Sequence, residues 1–124
     1  MARRPSAALP DLSRLAEMHA HASDAARLLK TLGNEQRLLI VCNLLERPLT
    51  VGELNERVDL SQSALSQHLA ILREEGVVET RREAQSIRYS LPAGPVTRVM
   101  GLLQEIYCSD STVRPGRTPA TRAR

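Results

Sequence analysis

The 124-residue chain has no Trp and no Phe, and its only tyrosines are Tyr89 and Tyr107. Its core must therefore be assembled from Leu, Val, Ile and Ala, which suits helices packed on helices. No apolar run approaches the roughly 18 residues that a membrane span requires. The opening Met-Ala-Arg-Arg-Pro is followed by no continuous apolar stretch of the secretory kind. The expected address is the cytoplasm, with no membrane partner. There are only two cysteines, Cys42 and Cys108, and neither CxxC nor Cys/His ligand spacing occurs, which excludes a zinc finger. A permanent structural disulfide is not expected in that compartment. A nucleophile–base pair, a phosphate loop and a metal motif are all missing, so neither an enzyme nor a cofactor is expected.

A formal net charge of +3 invites a nucleic-acid reading, but it comes from the ends of the chain. Arg3 and Arg4 contribute +2, and the segment from Ser109 onward contributes +3. The body from Asp11 to Cys108 holds eleven basic against thirteen acidic side chains, a net of −2. Global charge is therefore weak evidence for a nucleic-acid partner. More informative is a local absence: from Leu60 to Arg73 there is no Asp or Glu.

Length and composition fit one domain, residues 11–108, between two flexible tails, 1–10 and 109–124, the second of them basic. Helical spacing begins at Asp11 and runs to about Ala22, with a second short helix expected from Asp24 to Thr31. Asn34 caps an apolar helix from Glu35 to Glu46 that Pro48 stops. Leu38, Leu39, Ile40, Val41, Leu44 and Leu45 surround it almost fully, which predicts a buried central helix. Thr50-Val51-Gly52-Glu53 is a capping box opening a helix to about Val58. Asp59 and Leu60 turn the chain into Ser61, which caps a longer helix ending at Gly76. A short helix, a tight turn and a longer helix form a helix-turn-helix pattern. Val77 to Arg82 and Ser86 to Leu91 read as two strands around a Glu83-Ala84-Gln85 turn, a hairpin wing. A last helix follows Pro92 and Pro95 and runs to about Cys108. The fold class is mainly α with a β-hairpin wing.

On the helix from Ser61 to Glu75, Leu65, Leu69 and Leu72 fall within about 60° of one another and define the packed side. The opposite face collects Ser63, Ser66, Gln67 and Ala70, short uncharged side chains, with Gln62 and Arg73 at one edge. A solvent face usually carries Lys and Glu; this one carries neither. Gln pairs bidentately with adenine, Ser serves several base edges, and small residues let a helix sit deep in a major groove. His68 falls nearer the apolar side, in a structural or phosphate-contacting position. The wing supplies Arg81, Arg82, Gln85 and Arg88, side chains suited to phosphates or an A·T-rich minor groove. Arg82 and Gln85 lie nearest the tip and are the expected contacts, while Glu79 and Glu83 are available to pair with the other arginines.

One such helix covers few base pairs, so specific binding of double-stranded operator DNA calls for a homodimer on half-sites about 34 Å apart. Val96, Val99, Met100, Leu103 and Tyr107 form one stripe on the last helix. Together with Leu15 on the first, this stripe is the expected dimer interface; the alternative is that it covers the chain's own core.

The stretch LLKTLGNEQRLLIVCNLL, LTVGELNERVDLSQSALSQHLAILREEGVV and TRREAQSIRYSL, from Leu28 to Leu91, resembles the ArsR/SmtB family of bacterial repressors. The resemblance covers roughly Asp11 to Cys108 and is most specific in SQSALSQHLAILREEG. It implies a winged helix-turn-helix homodimer joined through its first and last helices. DNA contacts would fall on Gln62, Ser63, Ser66 and Gln67. At the wing tip Ala84 replaces the Gly often present in the family. The clustered cysteines of the family's thiolate metal sites are missing around Val51, Gly52, Glu53 and Leu54. The last helix offers only Glu105 with Gln104 toward a zinc or nickel site, and His19 and His21 do not share a helix face. Cys42 before Asn43-Leu44-Leu45 and Cys108 after Ile106-Tyr107 resemble the BigR/SqrR (HlyU-like) subgroup. That likeness implies redox-sensing cysteines: reactive sulfur species would join Cys42 to Cys108 and release the operator. A peroxide-responsive or arsenite-responsive repressor, and a DNA binder that senses nothing, remain alternatives from the residues alone.

Overall fold

The computed structural model describes residues 11–108, so the two expected tails lie outside the described residues. A 3-10 turn, Leu12–Arg14, starts on Asp11, whose carboxylate accepts the Ser13 backbone N–H at 2.9 Å. It leads directly into α1, Leu15–Leu32. The two expected helices are thus one. Asp24 looks like a helix start because Asp makes a good N-cap, but it does not break a helix when its side chain faces water, and an Ala-rich segment carries α1 through it.

Helix α2 (Glu35–Glu46) is capped by Asn34, which accepts the Arg37 N–H at 3.0 Å. Its burial is one-sided. Ile40, Val41 and Leu44 are enclosed, whereas Leu39 and Cys42 are exposed. Strand β1 (Leu49–Thr50) was not anticipated, because two residues carry no periodicity. Helix α3 (Val51–Arg57) opens on the expected capping box: Glu53 N–H donates to the Thr50 hydroxyl at 3.1 Å, and Thr50 N–H to the Glu53 carboxylate at 3.0 Å.

Helix α4 (Gln62–Glu74) starts on Ser61, which accepts the Ala64 N–H at 3.1 Å. Its end is a Schellman closure. Val77 N–H reaches the Leu72 carbonyl at 2.8 Å and Gly76 N–H the Arg73 carbonyl at 3.0 Å, with Gly76 at φ +76°. Leu72 and Val77, the apolar pair that accompanies this motif, are both buried.

Val77 and Val78 belong to this closure and to the core. The second strand therefore begins two residues later than expected: β2 is Glu79–Glu83 and β3 is Ser86–Ser90. The sheet is antiparallel in the order β1-β3-β2, with Leu49 opposite Tyr89 and Thr50 opposite Arg88. Glu83 pairs with Ser86, so the wing tip is the two-residue turn Ala84–Gln85. Ala84 holds φ +56°, a conformation that Gly adopts without strain. The tight turn forms without the glycine.

Helix α5 (Pro95–Tyr107) completes the domain. The core is aliphatic, built around Ile40, Leu49, Leu54, Leu65, Leu69 and Met100. Tyr89 packs partly buried against it, while Tyr107 is exposed. A bidentate ion pair from Arg27 to Glu75, at 2.8 and 3.3 Å, ties α1 to the end of α4. Among the described residues no helix is long and apolar enough to cross a membrane.

Two glycines with open space around them give opposite outcomes. Gly76 sits at positive φ, so Gly76→Ala is expected to lower stability by about 1 kcal/mol. Gly52 lies within α3, where an added Cβ meets nothing closer than 3.9 Å, so Gly52→Ala is expected to raise stability by about 0.5–1 kcal/mol. Urea unfolding midpoints at constant m-value check both signs.

Candidate nucleic-acid interface and cysteine pair

The helix-turn-helix is held by short local bonds. Asn55 Nδ2 donates to the Leu60 carbonyl at 2.9 Å and so fastens the turn between α3 and α4. Leu65, Leu69 and Leu72 are removed from water, which orients α4 about its axis. Gln62, Ser63, Ser66, Gln67 and Ala70 all emerge exposed on the other side. The first turn of α4 contains no acidic residue. A bound phosphate there would meet only the helix's own N–H groups and dipole. His68 is half-buried, and its Nδ1 is enclosed without a hydrogen-bond partner among the described residues.

The wing arginines divide into two kinds. Strand alternation places Arg82 on one hairpin face with Thr80, Ile87 and Tyr89, and Arg81 with Arg88 on the other. Tyr89 borders a groove of about 400 Å³ whose opposite wall is Ser66, Ala70 and Arg73 of α4. Arg82 thus continues the face that meets α4. Arg82 and Gln85 are exposed, and among the described residues Arg82 makes no ion pair. Arg88 is engaged twice, by Glu83 at 3.0 Å and by Glu53 at 3.1 Å. Those contacts push its guanidinium pKa further up, Glu83 foremost. The Glu53 carboxyl is held below the usual carboxylate range, first by the Thr50 N–H and then by Arg88 and Arg47.

The stripe expected at a dimer interface needs correction. Val96 and Met100 are only 6 % and 1 % exposed and lie in the chain's own core. Val99 and Leu103 pack partly buried against that core. Leu15 and Tyr107 do face outward; Tyr107 shares the helix angle of Val96 but sits beyond the end of the core it would cover. The apolar side chains left exposed on these elements are Leu12, Met18, Leu29, Leu102 and Ile106. On α1 the signal was readable, since Leu15, Met18, Ala22, Ala25 and Leu29 alternate in steps of three and four.

Cys42 and Cys108 are both free thiols. Cys42, expected inside a buried helix, lies on the outer side of α2, its thiol partly sunk among its neighbours. Cys108 caps the C-terminus of α5, its N–H on the Gln104 carbonyl at 2.7 Å. The Cys42 thiol pKa is pushed up, chiefly by partial burial and then by charge at Cys108.

Comparison with known proteins agrees with this geometry. The profile of the arsR family of bacterial regulatory proteins matches residues 34–80. The transcriptional activator HlyU of Vibrio cholerae is 51% identical over 94 residues, 76% of this chain and 87% of its own. The solved structure of reduced HlyU superposes with a TM-score of 0.70 over 74% of this chain and 97% of its own. The biofilm growth-associated repressor of Xylella fastidiosa is 40% identical over 101 residues, 82% of this chain and 88% of its own. A homodimeric winged helix-turn-helix DNA-binding domain from Mycobacterium bovis, a possible ArsR-family regulator, is 28% identical with a TM-score of 0.66, covering 83% of this chain and 91% of its own. The chain belongs to the ArsR family and is a winged helix-turn-helix transcriptional regulator.

Proposed function

We propose that the reduced chain is a homodimeric repressor that reads operator DNA with α4 and the wing. Reactive sulfur species release it by joining Cys42 to Cys108, which frees genes for sulfide oxidation and detoxification. The sensing half is carried by the placement of two exposed free thiols, Cys42 on α2 and Cys108 closing α5, with the contribution of Cys108 to the raised Cys42 pKa in support. The reading half rests on the exposed, acid-free face of Gln62, Ser63, Ser66 and Gln67. The relatives bear the names activator and repressor. Repression is the economical reading, because occupying a promoter requires only the DNA face.

Dimerisation is supported by the apolar seam on α1 and by exposed Leu102, Ile106 and Tyr107 on α5. Exposed apolar side chains of this kind on a helix are suited to an interaction surface. A soluble DNA-binding regulator of this kind would work in the cytoplasm, at the nucleoid.

The chemistry balances with a persulfide as sole oxidant. A cysteine thiolate attacks the outer sulfur of glutathione persulfide, forming a protein persulfide and releasing glutathione thiolate. The second cysteine thiolate then attacks the protein-bound inner sulfur and expels hydrosulfide, leaving a disulfide. If the second cysteine carries its own added sulfur, the same displacement leaves a trisulfide. Either bridge would tether the end of α5 to α2. A coupling of about 1–3 kcal/mol between thiols and DNA is typical of such switches.

In an operator titration by fluorescence anisotropy, Gln67→Ala is expected to relax base preference at one or two positions. Arg82→Ala should weaken all sequences alike and reduce the salt slope by about 1. Normal binding by both variants would contradict the docking. Glutathione persulfide is expected to release the operator from the parent protein but not from Cys42→Ser or Cys108→Ser. Mass spectrometry should find the two residues joined. Equal release by peroxide would replace the sulfur-specific reading with general thiol oxidation, and release by arsenite alone would replace it with metalloid sensing. Cys42 should be alkylated by iodoacetamide more slowly than a free thiol at neutral pH, with a midpoint above the ordinary cysteine range that falls in Cys108→Ser. Above the ordinary cysteine pKa the unfolded chain ionises first, so this thiol also makes stability fall as pH rises.

A further inference from the structure

We propose that Arg88 and Glu53 form a strut that sets the wing against the helix-turn-helix. On this reading, which rests on the DNA interface above, Arg88 serves binding through the wing's position and Arg82 serves it by contact.

The geometry closes a small ring. Thr50 pairs with Arg88 across β1 and β3. Thr50 N–H also donates to Glu53 Oε1 at 3.0 Å, and the same oxygen accepts Arg88 Nη1 at 3.1 Å. Backbone pairing and side chains therefore join the same two places in the fold. Arg88 extends the link into the hairpin by donating from Nε to Glu83 Oε1 at 3.0 Å. One guanidinium thus ties the start of α3 to both strands of the wing. Arg88 and Glu53 side chains are 32% and 37% exposed, so water screens them less than it screens the wing tip.

A strut is needed at this place. Residues 81–87 of the wing are exposed on both faces, and a two-stranded ribbon is marginal on its own. Its direction is decided at its base, by Tyr89, the short β1 pairing and this ion-pair ring. An arginine between two carboxylates adds little local positive charge to attract a phosphate, and freeing it would leave Glu83 without its ion pair and Glu53 with only Arg47, at 3.9 Å. Arg82 has neither restraint, and it shares the hairpin face that borders α4.

The test uses Glu53→Gln, Arg88→Met, their double variant and Arg82→Ala in the full chain. Glutamine still accepts the Thr50 N–H, as it does in other capping boxes, so α3 keeps its start. Electrostatics alone predicts that removing a negative charge beside DNA tightens binding. The strut predicts the opposite sign: Glu53→Gln and Arg88→Met each weaken operator binding about three- to tenfold, the double variant is no weaker than Arg88→Met, and the salt slope is unchanged. Amide hydrogen exchange in the free protein should quicken from Arg82 to Ile87 in all three, while α3 amides stay protected. Tighter operator binding by Glu53→Gln would overturn the proposal. So would parent-like exchange in the wing, or a salt slope reduced by about 1 in Arg88→Met. An unaffected Arg82→Ala would overturn the contact role of the wing face, and the exchange experiment, made without DNA, separates that failure from failure of the strut.

Discussion

Burial of Leu65, Leu69 and Leu72 on one side of α4 is the constraint from which the rest of the arrangement follows. All three are at most 1% exposed. At roughly 2 kcal/mol for each enclosed side chain, rotating α4 about its axis would forfeit far more than any surface polar contact returns. That seam directs Gln62, Ser63, Ser66 and Gln67 outward as a fixed set. The Schellman closure at Gly76 then drops Val77 and Val78 into the same core, which launches β2 at a fixed angle from the helix end. Helix and wing are thereby parts of one aliphatic unit, and the groove between them is a consequence of its packing.

The cysteines stand on the opposite end of this logic. Val96 and Met100 anchor the first half of α5 in the core, but every residue from Gln104 to Cys108 is exposed. The helix is thus firmly held at its start and lightly held at its end, where Cys108 stands. A covalent bridge at that point would act on the least restrained part of α5, next to the exposed Ile106 and Tyr107 that would face a second copy. Under the proposed switch, a bridge between the thiols would shift the end of α5 and leave the core that holds α4 undisturbed.

Much of this was legible in the sequence because the signals were local. Asn34, Thr50 with Glu53, Ser61 and Gly76 each mark a helix end within a few residues, and each marks it in the structure. The acid-free face of α4 was visible because helical periodicity sorts its thirteen residues without outside help. What escaped depended on partners distant in sequence. Strand β1 exists only because Thr50 meets Arg88, and the pairing of Arg88 with Glu53 spans 35 positions. The single α1 in place of two helices reflects a local ambiguity, since Asp24 serves equally well as a cap or as an exposed helix residue. Val96 and Met100 were misassigned because a stripe on a wheel cannot say whether its own core or a second copy will cover it.

In the proposed complex the outward face of α4 lies in the major groove of the operator. Side-chain NMR of the protein bound to its operator fragment addresses this most directly, through the amide groups of Gln62 and Gln67. Both are expected to shift strongly, with intermolecular contacts to thymine methyl and cytosine H5 protons, which line that groove. Side-chain resonances of Gln62 and Gln67 that stay unmoved at saturation, while other surfaces shift, would contradict it.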